Sequence, residues 1–186
     1  MTAHVVDASV VAAAFFRERH SDAARALLTG GDELYAPDLV WAEVANVIWK
    51  HSGREEIDAA EAAEMLRDVL ALPLQVTPSD QLAEDALELA LRTGRTVYDC
   101  LYLAVAVRTG SPLLTADKRL VNALAKTPVA AHVAWLGDRR GRAVVPRKAK
   151  ARGCVDRGLW TPYWERIPGA AGWGKAVIPS RRTRRR

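Results

Sequence analysis

Along the first 138 residues, five short apolar runs are separated by longer segments of helical period. The runs are 3–6, 33–36, 74–76, 112–114 and 132–136. Antiparallel neighbours can be joined by a tight turn, whereas parallel strands need a crossover of about a dozen residues or more. Short strands divided by helices therefore predict a parallel sheet with helices on both faces. The expectation is an α/β fold in three layers, with a central, mostly parallel sheet of about five strands.

The intervening segments carry their own punctuation. Residues 10–16 are apolar and suit a helix, and Ser21 can cap a second helix through residue 28, which Gly30 and Gly31 end. Residues 38–51 place Val40, Val44, Val47 and Ile48 on one face. Asp58 and Glu61 have capping-box spacing ahead of a helix to about residue 72. Thr77, Pro78 and Asp80 predict another start, with Thr77 as the cap and a stop at Gly94. Residues 98–109 form the most apolar helix, stopped by Gly110, and 118–124 form a last one.

Charge divides the chain. Its 186 residues sum to +5, a value that hints at nucleic acid, but the sum conceals two opposite parts. Residues 1–138 hold 12 basic and 20 acidic side chains, a net −8, and residues 139–186 hold 15 and 2, a net +13. Periodicity also fails after Asp138. We read 1–138 as the folded domain and 139–186 as a basic, disordered extension. The extension has three readings: an RNA-binding arm using its arginines and Trp160, Trp164 and Trp173, a solvated linker, or out-of-frame or read-through sequence. The last two are preferred. Cys100 and Cys154 have no metal-ligand spacing, and no secretory signal or membrane span is expected. The expected setting is cytoplasmic.

Four acids stand where solubility alone would not put them. Asp7 follows the first strand and Asp117 follows the fourth, so both face the crevice at the carboxyl ends of a parallel sheet. Glu43 lies between Leu39 and Val47 on an apolar helical stripe, and Asp99 opens the most apolar helix. Each could be a cap or a snorkelling surface group by itself. Gathered together they would repel, at about 4 kcal/mol for a 4 Å pair at an effective dielectric near 20. Oxygen ligands with no His or Cys among them suit Mg2+ or Mn2+. The four histidines, His4, His20, His51 and His132, lie in different elements without ligand spacing.

Four stretches carry a resemblance. They are Val-Val-Asp-Ala-Ser-Val at 5–10, Pro-Asp-Leu-Val-Trp-Ala-Glu-Val-Ala-Asn at 37–46, Thr-Val-Tyr-Asp-Cys-Leu-Tyr-Leu-Ala-Val-Ala at 96–106 and Leu-Leu-Thr-Ala-Asp-Lys-Arg-Leu at 113–120. In this order and spacing the chain resembles a PIN domain, in particular a VapC-type toxin, over residues 2–138. The resemblance implies a Mg2+-dependent endoribonuclease, inhibited by a VapB-like antitoxin and commonly homodimeric. It matches Asp7, Glu43, Asp99 and Asp117 to the acidic quartet, with Asp7 and Asp99 as the principal metal pair. Glu43 and Asp117 would supply a second metal or orient water. Ser9 and Thr115 match the small hydroxyl positions beside the first and last acids; they could bind phosphate or water, or serve as cap and turn residues. Trp41 and Trp49, eight apart on one helix, are expected in the core or a dimer contact. A catalytically weak binding module and a housekeeping RNA-processing nuclease are the competing functions.

Overall fold

A computed structural model describes residues 2–138; the expectations for the extension lie outside the described residues. The elements alternate as the sequence predicts: β1 (Ala3–Val6), α1 (Ala8–Phe15), α2 (Ser21–Leu28), β2 (Glu33–Pro37), α3 (Leu39–Ser52), α4 (Ala59–Leu70), β3 (Leu74–Thr77), α5 (Ser79–Thr93), α6 (Val97–Thr109), β4 (Leu113–Thr115), α7 (Lys118–Leu124) and β5 (Val133–Trp135). The strands form one sheet in the order β3-β2-β1-β4-β5. Every pairing is parallel.

The core is built around β1 and α6. His4, Val5 and Val6 of β1 are buried, as befits the middle strand of a covered sheet. In α6 every residue from Cys100 to Ala106 is buried, so this helix is apolar nearly all round. It packs against β1, β2 and β4. Its start is capped by the Thr96 hydroxyl, which accepts the Asp99 N–H at 3.1 Å. Its end falls at Gly110, whose φ of 66° suits a residue without Cβ. The predicted capping box is present: Asp58 accepts from Glu61 N–H at 2.8 Å, and Glu61 accepts from Asp58 N–H at 2.9 Å.

Several local expectations are corrected. Thr77 does not cap α5; it is the last residue of β3, paired with Pro37 of β2. The work at that helix start is done by Asp38, whose Oδ1 accepts the Ser79 N–H at 3.1 Å and the Ser79 hydroxyl. Asp38 is thereby drawn away from its own helix, and makes no side-chain capping bond to α3. Helix α1 begins at Ala8, earlier than predicted, because Asp7 caps it. The last strand is shorter than expected, since 3-10 turns at Pro128–His132 and Leu136–Asp138 bracket it. Trp49 is not in the core, being 68% exposed.

Burial distinguishes two leucines. Leu103 is fully buried and Leu91 is 74% exposed. Leu103→Ala should lower the unfolding free energy by about 2–5 kcal/mol. Leu91→Ala should change it by less than about 0.5 kcal/mol. Urea denaturation of both variants beside the wild type checks the assignment.

Candidate active site

The sheet order creates a switch point. From β1 the chain moves outward to β2 and β3, then returns past β1 to form β4. Adjacent strands whose connections leave in opposite directions open a crevice at their carboxyl ends. The register there is close, with Val6 opposite Leu114 and the Asp7 N–H donating to the Leu114 carbonyl at 3.3 Å.

All four predicted acids line this one cleft. Asp7 arrives at the end of β1, Glu43 from α3, Asp99 from the first turn of α6 and Asp117 from the start of α7. Ser9, Tyr102 and Leu120 complete much of the wall.

Asp7 is 8% exposed and held by several donors. Its Oδ1 accepts the Ser9 hydroxyl at 2.6 Å and the Val10 N–H at 3.1 Å. Burial pushes its carboxyl up from the ordinary 3.8 to about 6; hydrogen bonds from Ser9, Thr115 and Val10 oppose the rise, and the Glu43 charge adds to it. Ser9 also accepts the Ala116 N–H at 2.9 Å, tying the start of α1 to the end of β4. Thr115 is fully buried and accepts the Asp117 N–H at 2.9 Å. Both hydroxyls are thus engaged in holding the β1 and β4 turns together.

The other acids are differently placed. Glu43 Oε2 accepts the Tyr102 hydroxyl at 2.5 Å. Burial raises the Glu43 carboxyl; the Tyr102 hydrogen bond lowers it, and the Asp99 charge raises it. Asp117 caps α7 through the Arg119 N–H at 2.8 Å and meets the Arg119 Nε at 3.3 Å. Burial works against its ionisation, but the Arg119 bonds and charge prevail and hold its carboxyl below the usual value.

A cation test can be made on these donors. Among the described residues no three His, Cys, Asp or Glu side chains are arranged to hold a metal ion unaided. Glu43 is turned to Tyr102, and Asp117 to Arg119. The accessible donors are carboxylate oxygens, and no histidine lines the cleft. A hard ion that keeps several waters and uses one or two carboxylates fits this set, which is the binding habit of Mg2+.

Sequence reasoning placed Tyr102 only on the apolar stripe of α6 and missed its bond to Glu43. The available signal was spacing: Tyr102 lies three residues after Asp99, on the same helical face.

A family model for the PIN domain matches residues 4–126, a span that includes all four acids. The chain belongs to the PIN-domain family. Ribonuclease VapC3 of Pyrobaculum aerophilum is 40% identical over 118 residues, covering 62% of this chain and 90% of that relative. Ribonuclease VapC9 of Mycobacterium tuberculosis is 31% identical over 116 residues, covering 62% and 87%. The crystal structure of PAE2754 from Pyrobaculum aerophilum has a TM-score of 0.53 at 28% identity, covering 66% of this chain and 79% of that one. The VapC resemblance read from four motifs therefore holds for this PIN domain.

The raised Asp7 carboxyl gives a pH prediction. Between about pH 4 and 6 the folded protein holds this proton more tightly than the unfolded chain does, so stability falls as pH rises through that window. The displacement from 3.8 to about 6 corresponds to ~3 kcal/mol. Asp7→Asn cannot ionise and keeps a capping oxygen. In EDTA it should be more stable than the wild type at pH 7, by up to that amount, with the difference vanishing near pH 4. Denaturation midpoints across this range check the sign.

Proposed function

We propose that the protein is a Mg2+-dependent endoribonuclease hydrolysing RNA phosphodiester bonds, and the toxin of a toxin–antitoxin module. The observation that carries this reading is the convergence of Asp7, Glu43, Asp99 and Asp117 on one cleft at the switch point. The names of the VapC relatives support the substrate class.

Asp7 and Asp99 would hold the cation, with Mn2+ able to substitute. When bound, the ion supplies a lowered pKa for a coordinated water and a counter-charge for the scissile phosphate. The Ser9 hydroxyl and the Val10 N–H fix the Asp7 carboxylate before substrate arrives. Glu43 and Asp117 would orient the attacking water or help hold a second ion. Lys118 and Arg119 begin α7 beside Asp117 and are candidate cations for flanking phosphates. Lys118 Nζ stands 4.4 Å from the centroid of the Trp135 ring.

The partner in this reading is a VapB-like antitoxin, and the active species is a homodimer in the cytoplasm. Leu87 and Leu91 of α5 and Tyr98 of α6 offer exposed apolar area for association. No helix among the described residues is long and apolar enough to cross a membrane. Residues 1–138 carry the activity in this reading.

Asp99→Asn should lower cleavage by more than the ~10–100-fold typical of losing a group that merely orients a metal ligand. The folded state should survive, because the change removes repulsion together with ligand charge. EDTA should abolish cleavage and Mg2+ restore it. Because water attacks, the products should bear 5′-phosphate and 3′-hydroxyl ends. Cyclic 2′,3′-phosphate ends, or full activity in EDTA, would contradict the scheme. Co-expression with a small neighbouring open reading frame should relieve growth arrest if the toxin assignment holds.

Removing 139–186 should leave cleavage intact. A large loss of RNA affinity with a shallower salt dependence would instead assign phosphate contacts to the extension.

A further inference from the structure

Tyr102 joins α6 to α3 through one oxygen. It is carried by α6, three residues beyond Asp99, and is 4% exposed. Its hydroxyl donates to Glu43 Oε2 of α3 at 2.5 Å, and the backbone of Ala8, the first residue of α1, partly offsets the burial that opposes its ionisation. A buried phenol needs a partner, and several neutral acceptors could have satisfied it. Here it is paired with a carboxylate, which makes a short charge-assisted bond.

Glu43 has reason to leave the cleft. It shares the space with three other acids, and the Asp99 charge bears on it directly. A glutamate also has three rotatable side-chain bonds, whose freedom favours release into water. Among the described residues, Tyr102 alone hydrogen-bonds its side chain. The phenol is rigid and anchored on a buried helix. It therefore fixes Glu43 by Oε2 and leaves Oε1 as the atom available for chemistry.

We propose that Tyr102 is a positioning residue of the cleft, which holds Glu43 in the one orientation that serves the cation and the attacking water. This rests on the nuclease reading above. It adds a residue outside the acidic quartet, and assigns the role to its hydroxyl.

The test compares full-length wild type, Tyr102→Phe, Glu43→Gln and the double variant. Phosphodiester cleavage gives kcat and KM, and Mn2+ binding without RNA is read by electron paramagnetic resonance. Tyr102→Phe should lower kcat ~10–100-fold and weaken Mn2+ binding about tenfold, the usual scale for a group that orients a ligand. KM should stay within about threefold, since no substrate contact is lost. In the Glu43→Gln background the same Phe substitution should have no further effect, because both changes act through one carboxylate.

Glu43→Asp provides a route that leaves the phenol intact. It keeps the charge but withdraws the carboxylate by one methylene, and should reproduce the losses of Tyr102→Phe. If the Phe variant does not fold, this comparison carries the test. Wild-type kcat and Mn2+ affinity in Tyr102→Phe or in Glu43→Asp would overturn the proposal, as would an equal Phe effect with and without Glu43. Wild-type protein that neither binds Mn2+ nor cleaves RNA would overturn the nuclease reading and this inference with it. Wild-type activity beside an unchanged Phe variant would remove the role of Tyr102 alone.

Discussion

The parallel pairing of β1 with β4 places the end of one strand beside the end of another that is remote in sequence. Val5 and Val6 lie opposite Leu113 and Leu114. Just beyond, the Ala116 N–H donates to Ser9, a bond that spans 107 residues of chain. Such a contact closes a long loop and must be supported by burial on both faces of the sheet. The support comes from α6, whose buried length lies against β1, β2 and β4. Without that packing, Asp7 and Asp117 would have no common cleft.

The same packing places the acids in competition with one another. Asp7 is buried enough to resist ionisation, whereas Asp117 is stabilised as an anion by the start of α7 and by Arg119. Glu43 is restrained by a phenol, and Asp99 stands at the capped end of the core helix. Four carboxyl groups in one cleft thus have four separate local environments. Differences of this kind are how similar side chains acquire different tasks in a reaction.

Local chemistry was the most readable part of the sequence. The Asp58–Glu61 box and the stops at Gly94 and Gly110 depend on residues a few positions apart, and the structure shows them as expected. The acids were legible because their settings were anomalous: two after strands and two on apolar helical stripes. Thr77 was misread because its cap signal was local, whereas its pairing with Pro37 depends on a strand 40 residues earlier. Of the two places expected for Trp49, the core is excluded by its exposure, because helical spacing alone does not say which face of α3 is covered.

The sequence by itself determined the alternation of strand and helix, the parallel class of the sheet and the identity of four chemically unusual acids. It also separated an acidic domain from a basic extension by composition. Tertiary structure decided which strands are neighbours, and therefore that those acids meet. It alone brought Ser9 beside Ala116, Ser79 beside Asp38 and Tyr102 beside Glu43. The physical reason is range: caps and periodicity act within a few residues, whereas burial and strand pairing bring together groups whose separation along the chain carries no local signal.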